Sequence, residues 1–190
     1  MPPKQKITPD MVVKAAYDLT REQGIAAVNA RSVAKRLGCS TQPVFSSFPA
    51  MEALKKAVFD YAAETCMGDI LAGEGRESFA ADTSMWVVRL AREEPHIFHL
   101  LYLSDSFEKK KLLDTMLDYE CNRKLLERMA ATHGLTVAES RDIYQRGYLL
   151  LHGIATMIAT NHMTFTDGEI SDLIGRTVRD MVRGIREARV

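Results

Sequence analysis

Apolar residues recur along this chain at intervals of three and four and never in sustained alternation, the spacing of amphipathic helices rather than strands. Val12, Ala15, Ala16 and Leu19 share one face of a first helix. It opens at Thr8-Pro9-Asp10, a cap followed by proline at the first helical position, and stops at Gly24. After Asn29, a good N-cap, Val33, Ala34 and Leu37 repeat the pattern as far as Gly38. Ser40 follows at once and is expected to cap a short second helix, polar at Thr41, Gln42 and Ser46 and apolar at Val44, Phe45 and Phe48, with Pro49 ending it. A fourth helix opens near Ala50 and runs through Leu54, Ala57, Val58 and Tyr61 toward Leu71.

Ala72-Gly73-Glu74-Gly75 interrupts the pattern and marks a joint. Beyond it the spacing predicts a helix from Ser78 to Arg92, a short one from Pro95 to Leu103, and a long one from about Phe107 to His133, closed by Gly134. Thr136 with Glu139 forms a capping-box pattern before a helix reaching about Asn161, and Thr166 with Glu169 repeats it before the last helix. The expected fold is all-α: an N-terminal three-helix module over 1–49, a connecting helix over 50–72, and a helical domain over 73–190.

Helix, glycine turn, helix is the pattern of a helix-turn-helix, which lays its second helix in a DNA major groove. The turn at Gly38 is too short to be a flexible linker. A formal net charge of zero over 190 residues looks wrong for that role until it is divided. Residues 1–60 hold nine Lys or Arg against five Asp or Glu, a net of +4, and the remainder holds 16 against 20, a net of −4. The basic excess sits where phosphate neutralisation needs it.

The ordered set of a first helix ending in Gly24, Arg31-Ser-Val-Ala-Lys-Arg-Leu-Gly38-Cys-Ser40, Val44-Phe45, Phe48 and Glu52-x-Leu54 resembles the N-terminal domain of the TetR family of bacterial transcriptional regulators. The resemblance covers the first 60 residues; the rest matches only in being helical and of suitable length. It implies a regulator, expected to be a repressor, that binds a palindromic double-stranded DNA operator as a homodimer. A small-molecule ligand in the C-terminal domain would change the separation of two recognition helices matched to major grooves about 34–36 Å apart, and the DNA would be released. Thr41 and Gln42 then fall where such helices meet base edges, and Gln pairs with adenine through two hydrogen bonds; Ser40 and Ser46 are further DNA-binding candidates, and Phe45 either touches a thymine methyl or sugar or packs within the module, as Phe48 is expected to do. Family members often carry Tyr, His and Lys where this chain has Phe45, Ser47 and Met51. Ser47 keeps a hydrogen-bond donor, and Arg31, Lys55, Lys56 and a Lys4/Lys6 arm can supply charge nearby.

Phe79, Trp86, Phe98, Tyr102, Met116 and Tyr119 are candidates to line a ligand pocket between helices, although core packing accounts for any one of them equally well. The stretch 147–158 is apolar nearly all round, and the last helix carries an apolar stripe, so two helices from each of two chains would make a four-helix interface. Leu150, Ile154, Met157, Ile170, Ile174 and Met181 are the expected interface residues.

Three cysteines far apart in sequence and no signal-peptide pattern lead to an expectation of a reduced, cytoplasmic setting, and no apolar run is long enough to cross a bilayer. Cys39 in the turn reads as a small hydrophobe more readily than as a redox switch. Glu93-x-x-His96 and His96-x-x-His99 have metal-ligand spacing, but Pro95 splits the first and further carboxylates are wanting, so neither a metal nor a cofactor is expected. No nucleophile-and-base pattern argues for catalysis. A helical-bundle metalloenzyme, or a helical interaction protein that has lost DNA binding, stands as the alternative.

Overall fold

The computed structural model of the protein describes residues 7–71, 79–104 and 120–189, and every regular element among them is helical. The elements are α1 (Pro9–Gln23), a 3₁₀ turn (Ile25–Ala27), α2 (Ala30–Leu37), α3 (Gln42–Ser47), α4 (Met51–Leu71), α5 (Phe79–Glu93), α6 (Pro95–Phe98) running into a π turn (His99–Leu103), α7 (Glu120–His133), α8 (Val137–Asn161) and α9 (Asp167–Glu187). They form two compact units. The first gathers α1 to α4 as far as Asp69 and takes in α6 with its π turn; the second gathers α5, α7, α8 and α9. The glycine-containing joint at 72–75 and the beginning of the long helix expected from Phe107 lie outside the described residues.

In the first unit α1 packs against α2, α3 and α6. Val12, Ala15, Ala16 and Leu19 are buried as their spacing requires. Thr20 completes that face, its hydroxyl donating to the Ala16 carbonyl, so no polar group is buried unpaired there. Leu54, Val58, Ala62 and Cys66 form the i, i+4 stripe that α4 buries, and Tyr17 meets Tyr61 edge to face at 5.0 Å. α6 brings Ile97 and Phe98 into this core. Glu94, just ahead of α6, accepts a two-pronged hydrogen bond from Arg21 of α1.

In the second unit α8 packs against α5, α7 and α9. Arg186 donates to the His133 carbonyl, and Arg189 to the Gly134 carbonyl and the Glu139 carboxylate, so the end of α9 lies beside the start of α8 and the two helices run antiparallel. Leu135, Ile143 and Val182 form the core at that end, with Met129, Val178, Met181 and Ile185 packed on it. Both expected capping boxes are present: Thr136 with Glu139 opens α8, and Thr166 with Glu169 opens α9. Glu139 accepts from both the backbone and the hydroxyl of Thr136 as well as from Arg189, and its carboxyl is held down at about 2.

Candidate nucleic-acid interface

The turn between α2 and α3 is built by a few local bonds. Asn29 caps α2 through the Arg31 and Ser32 amides while the Ser32 hydroxyl accepts from the Asn29 amide, a reciprocal box that fixes where α2 begins. At the other end Gly38 takes the left-handed conformation (φ 64°, ψ 31°). The Cys39 amide donates to the Ala34 carbonyl at 3.0 Å and the Gly38 amide to Lys35 at 3.2 Å. This double closure leaves the chain one exit direction from α2.

The start of α3 differs from the sequence expectation. Ser40 is not its N-cap: α3 begins at Gln42, preceded by Thr41 with helical φ and ψ and no side-chain cap bond. The reason is Pro43. A cap at Ser40 would bond to the amides two or three residues on, those of Gln42 and residue 43, and Pro43 removes the second of them. Proline in the first turn instead starts the helix beside itself, and the Phe45 amide makes the first bond, to the Thr41 carbonyl at 3.1 Å.

Val44 is fully buried and anchors α3 to its neighbours. At about 100° per residue, Gln42 and Ser46 lie opposite Val44, and Phe45 stands at the edge of that arc beside Gln42. All three are exposed, Phe45 to 48%. Phe45 therefore belongs to the outward face with Gln42, whereas Phe48 is half-buried. Thr41 and Ser47 are half-buried at the two ends of the helix, and Ser40 is exposed in the turn.

The face itself carries no charge. From Gly38 to Met51 there is no charged side chain. Arg31 and Lys35, one turn apart on α2, are exposed, and Lys55 of α4 is half-buried; among the described residues none of the three has an ion-pair partner. Two other cations are already engaged. Arg36 makes a two-pronged bond to Glu22, which lowers the Glu22 pKa and raises that of Arg36, and Lys56 is paired with Asp60 at 2.7 Å. Lys35 was not singled out in the sequence, though its i+4 spacing from Arg31 was there to read. Lys4 and Lys6 lie outside the described residues.

The remaining candidates are scattered. Phe98 is fully buried against Tyr102, ring centroids 5.3 Å apart, in the first unit, so it is a core residue of that unit and has no surface left for a ligand. Trp86 is half-buried on α5 in the second unit; Met116, Tyr119 and the side chain of Phe79 lie outside the described residues. A polar-aromatic run passed over in the sequence, Tyr144, Tyr148 and His152 at i, i+4 and i+8 on α8, is half-buried. His152 Nε2 lies 2.6 Å from the Tyr148 hydroxyl, the Tyr144 hydroxyl donates to the buried Asn122 of α7, and burial pushes the His152 pKa down to about 4.

Of the expected interface residues, Ile154 and Ile170 are 2% and 1% exposed within one chain, so neither can be shared with a partner; α5, α7 and α9 cover part of the apolar surface of α8. Met181 is committed to the Leu135 core. Leu150, Met157 and Ile174 are half-buried, and Leu149 and Leu173 beside them are 61% and 37% exposed. His96 and His99 are exposed, and among the described residues no three side chains of metal-ligating type come together. The Cys66 thiol is pushed up to about 12 by burial and stays protonated. No described helix is long and apolar enough to cross a membrane.

No family model matches the chain, and no curated protein matches it. A solved structure, described as the crystal structure of a TetR transcriptional regulator from Rhodococcus sp. RHA1, is similar to it at 18% identity, covering 91% of this chain and 93% of that one, with a TM-score of 0.48.

Proposed function

We propose that the protein is a ligand-responsive, DNA-binding transcriptional regulator, a repressor that occupies a two-fold symmetric operator as a homodimer and leaves it when a small molecule binds. The observation that carries this reading is the outward arc of α3. Its rigid entry at Gly38, its anchor at Val44 and its uncharged face of Gln42, Phe45 and Ser46 present a short helix to a major groove, with unpaired cations on the neighbouring elements to meet phosphates.

On this reading the second unit supplies both the partner and the ligand. Leu149, Leu150 and Met157 of α8 with Leu173 and Ile174 of α9 form an apolar strip against which a second copy pairs its own α8 and α9. For the effector this reading takes the region of α5, α7 and α8, where α8 packs against both other helices and carries the half-buried Tyr144, Tyr148 and His152.

Selection of bound sequences from random duplex DNA tests the reading. It should enrich a motif with two-fold symmetry. Recovery of unenriched sequence, or of an asymmetric motif, would count against the regulator or the dimer respectively.

A further inference from the structure

Phe45 is the one member of the outward arc of α3 that hydrogen bonding cannot explain. Its ring has neither a donor for a phosphate oxygen nor a donor or acceptor for a base edge, yet it is 48% exposed at the edge of the outward arc, about 60° round the helix from Gln42. Val44, about 100° round the helix, is the fully buried anchor of α3, and Phe48 is half-buried, whereas about half of Phe45 is left to solvent. The surrounding segment from Gly38 to Met51 carries no charge to repel a phosphate backbone, and Arg31, Lys35 and Lys55, without an ion-pair partner among the described residues, stand on the helices before and after it.

A ring on a face that enters a major groove has one apolar partner on a base edge. That partner is the 5-methyl group of thymine, which 5-methylcytosine carries at the same position of its own ring. We propose that Phe45 reads a pyrimidine 5-methyl group in the major groove, so that base choice at one position of each half-site depends on that methyl. The inference rests on the DNA-binding reading above and extends it: Gln42 reads an adenine by hydrogen bonds, and Phe45 reads a neighbouring methyl by contact. It follows that methylating a cytosine at that position strengthens binding, which makes the protein sensitive to DNA modification.

The test uses the full chain and a duplex obtained by selection from random DNA. Deoxyuridine, which differs from thymidine only in lacking the methyl, replaces each thymine of the half-site in turn. Wild-type protein should lose about four-fold in affinity at one position per half-site, and about fifteen-fold when both half-sites are substituted, the worth of one and two buried methyl groups. Phe45→Ala should bind the thymine duplex more weakly and lose nothing further on deoxyuridine. Phe45→Leu, which keeps an apolar contact, should keep part of the discrimination. At the same position 5-methylcytosine should bind tighter than cytosine with wild type and equally with Phe45→Ala. The proposal is overturned if no thymine methyl matters to the wild type, or if Phe45→Ala retains the full deoxyuridine penalty. It is equally overturned if Phe45→Ala weakens all sequences alike, which would make Phe45 a sugar contact. Failure to select any motif would instead remove the DNA-binding reading itself.

Discussion

Gly38 sits at φ 64° with nothing within 4 Å of where a Cβ would lie, so the demand for glycine there is purely one of backbone conformation. Gly38→Ala should lower the stability of the module by about 1–2 kcal/mol, read by thermal denaturation; an unchanged midpoint would mean that the turn relaxes at no cost. Gln42→Ala should relax base preference at one position of each half-site, losing about 1–3 kcal/mol on the selected duplex and little on random DNA. A uniform loss on every sequence would make Gln42 a backbone contact. The cations divide by their partners. Arg31→Ala, Lys35→Ala and Lys55→Ala should each flatten the dependence of log affinity on log salt by about one, whereas Lys56→Ala, whose charge is already paired with Asp60, should change it less. Equal slopes for all four variants would separate phosphate contact from the ion pairing seen here.

At the scale of elements, α8 and α9 carry the assembly prediction. Leu149→Glu or Leu173→Glu places a carboxylate on the exposed strip and should split a dimer in light scattering while helicity is retained. A charged variant that stays dimeric would move the interface elsewhere. Met181 is the wrong residue for that experiment, since it packs on the Leu135 core. α8 also contributes an acid-sensitive element. His152 has its pKa lowered to about 4 by burial against a reference of 6.5, so between those values the unfolded chain binds the proton that the folded one does not. Stability should therefore fall as pH drops from about 6.5 toward 4, and His152→Gln should make that fall shallower in pH-dependent melting curves. Most of the element boundaries were legible in the chain because local chemistry sets them: Pro9, Asn29 and Gly38, and the Thr136 and Thr166 boxes, act within four residues. The start of α3 was misread because the missing amide of Pro43 outweighs the capping propensity of Ser40. The faces of α8 were harder to read, because an apolar helix looks the same whether its cover comes from its own chain or from a partner; only the burial of Ile154 and Ile170 beside the exposure of Leu149 separates the two. Phe98 shows the same limit, for nothing in its neighbours reveals that 94–104 packs with the first unit and not the second.

For the whole molecule, the net of +4 belongs to residues 1–60 alone: over the whole unit that carries α3, residues 1–69 and 94–107, nine Lys or Arg meet nine Asp or Glu, so on the proposed reading attraction to DNA depends on where the cations stand and not on the unit's net charge. On the proposed reading, specificity comes from two copies acting together, since a six-residue helix can touch few bases and a single half-site would bind weakly. The most direct test is the stoichiometry and spacing dependence of binding to the selected duplex, measured by anisotropy and light scattering on the same samples. Two protomers should bind per duplex, and inserting five base pairs between the half-sites, about half a helical turn, should reduce affinity toward that of a single half-site. One protomer per duplex, or binding indifferent to the insertion, would contradict a homodimeric regulator that reads paired major grooves through α3.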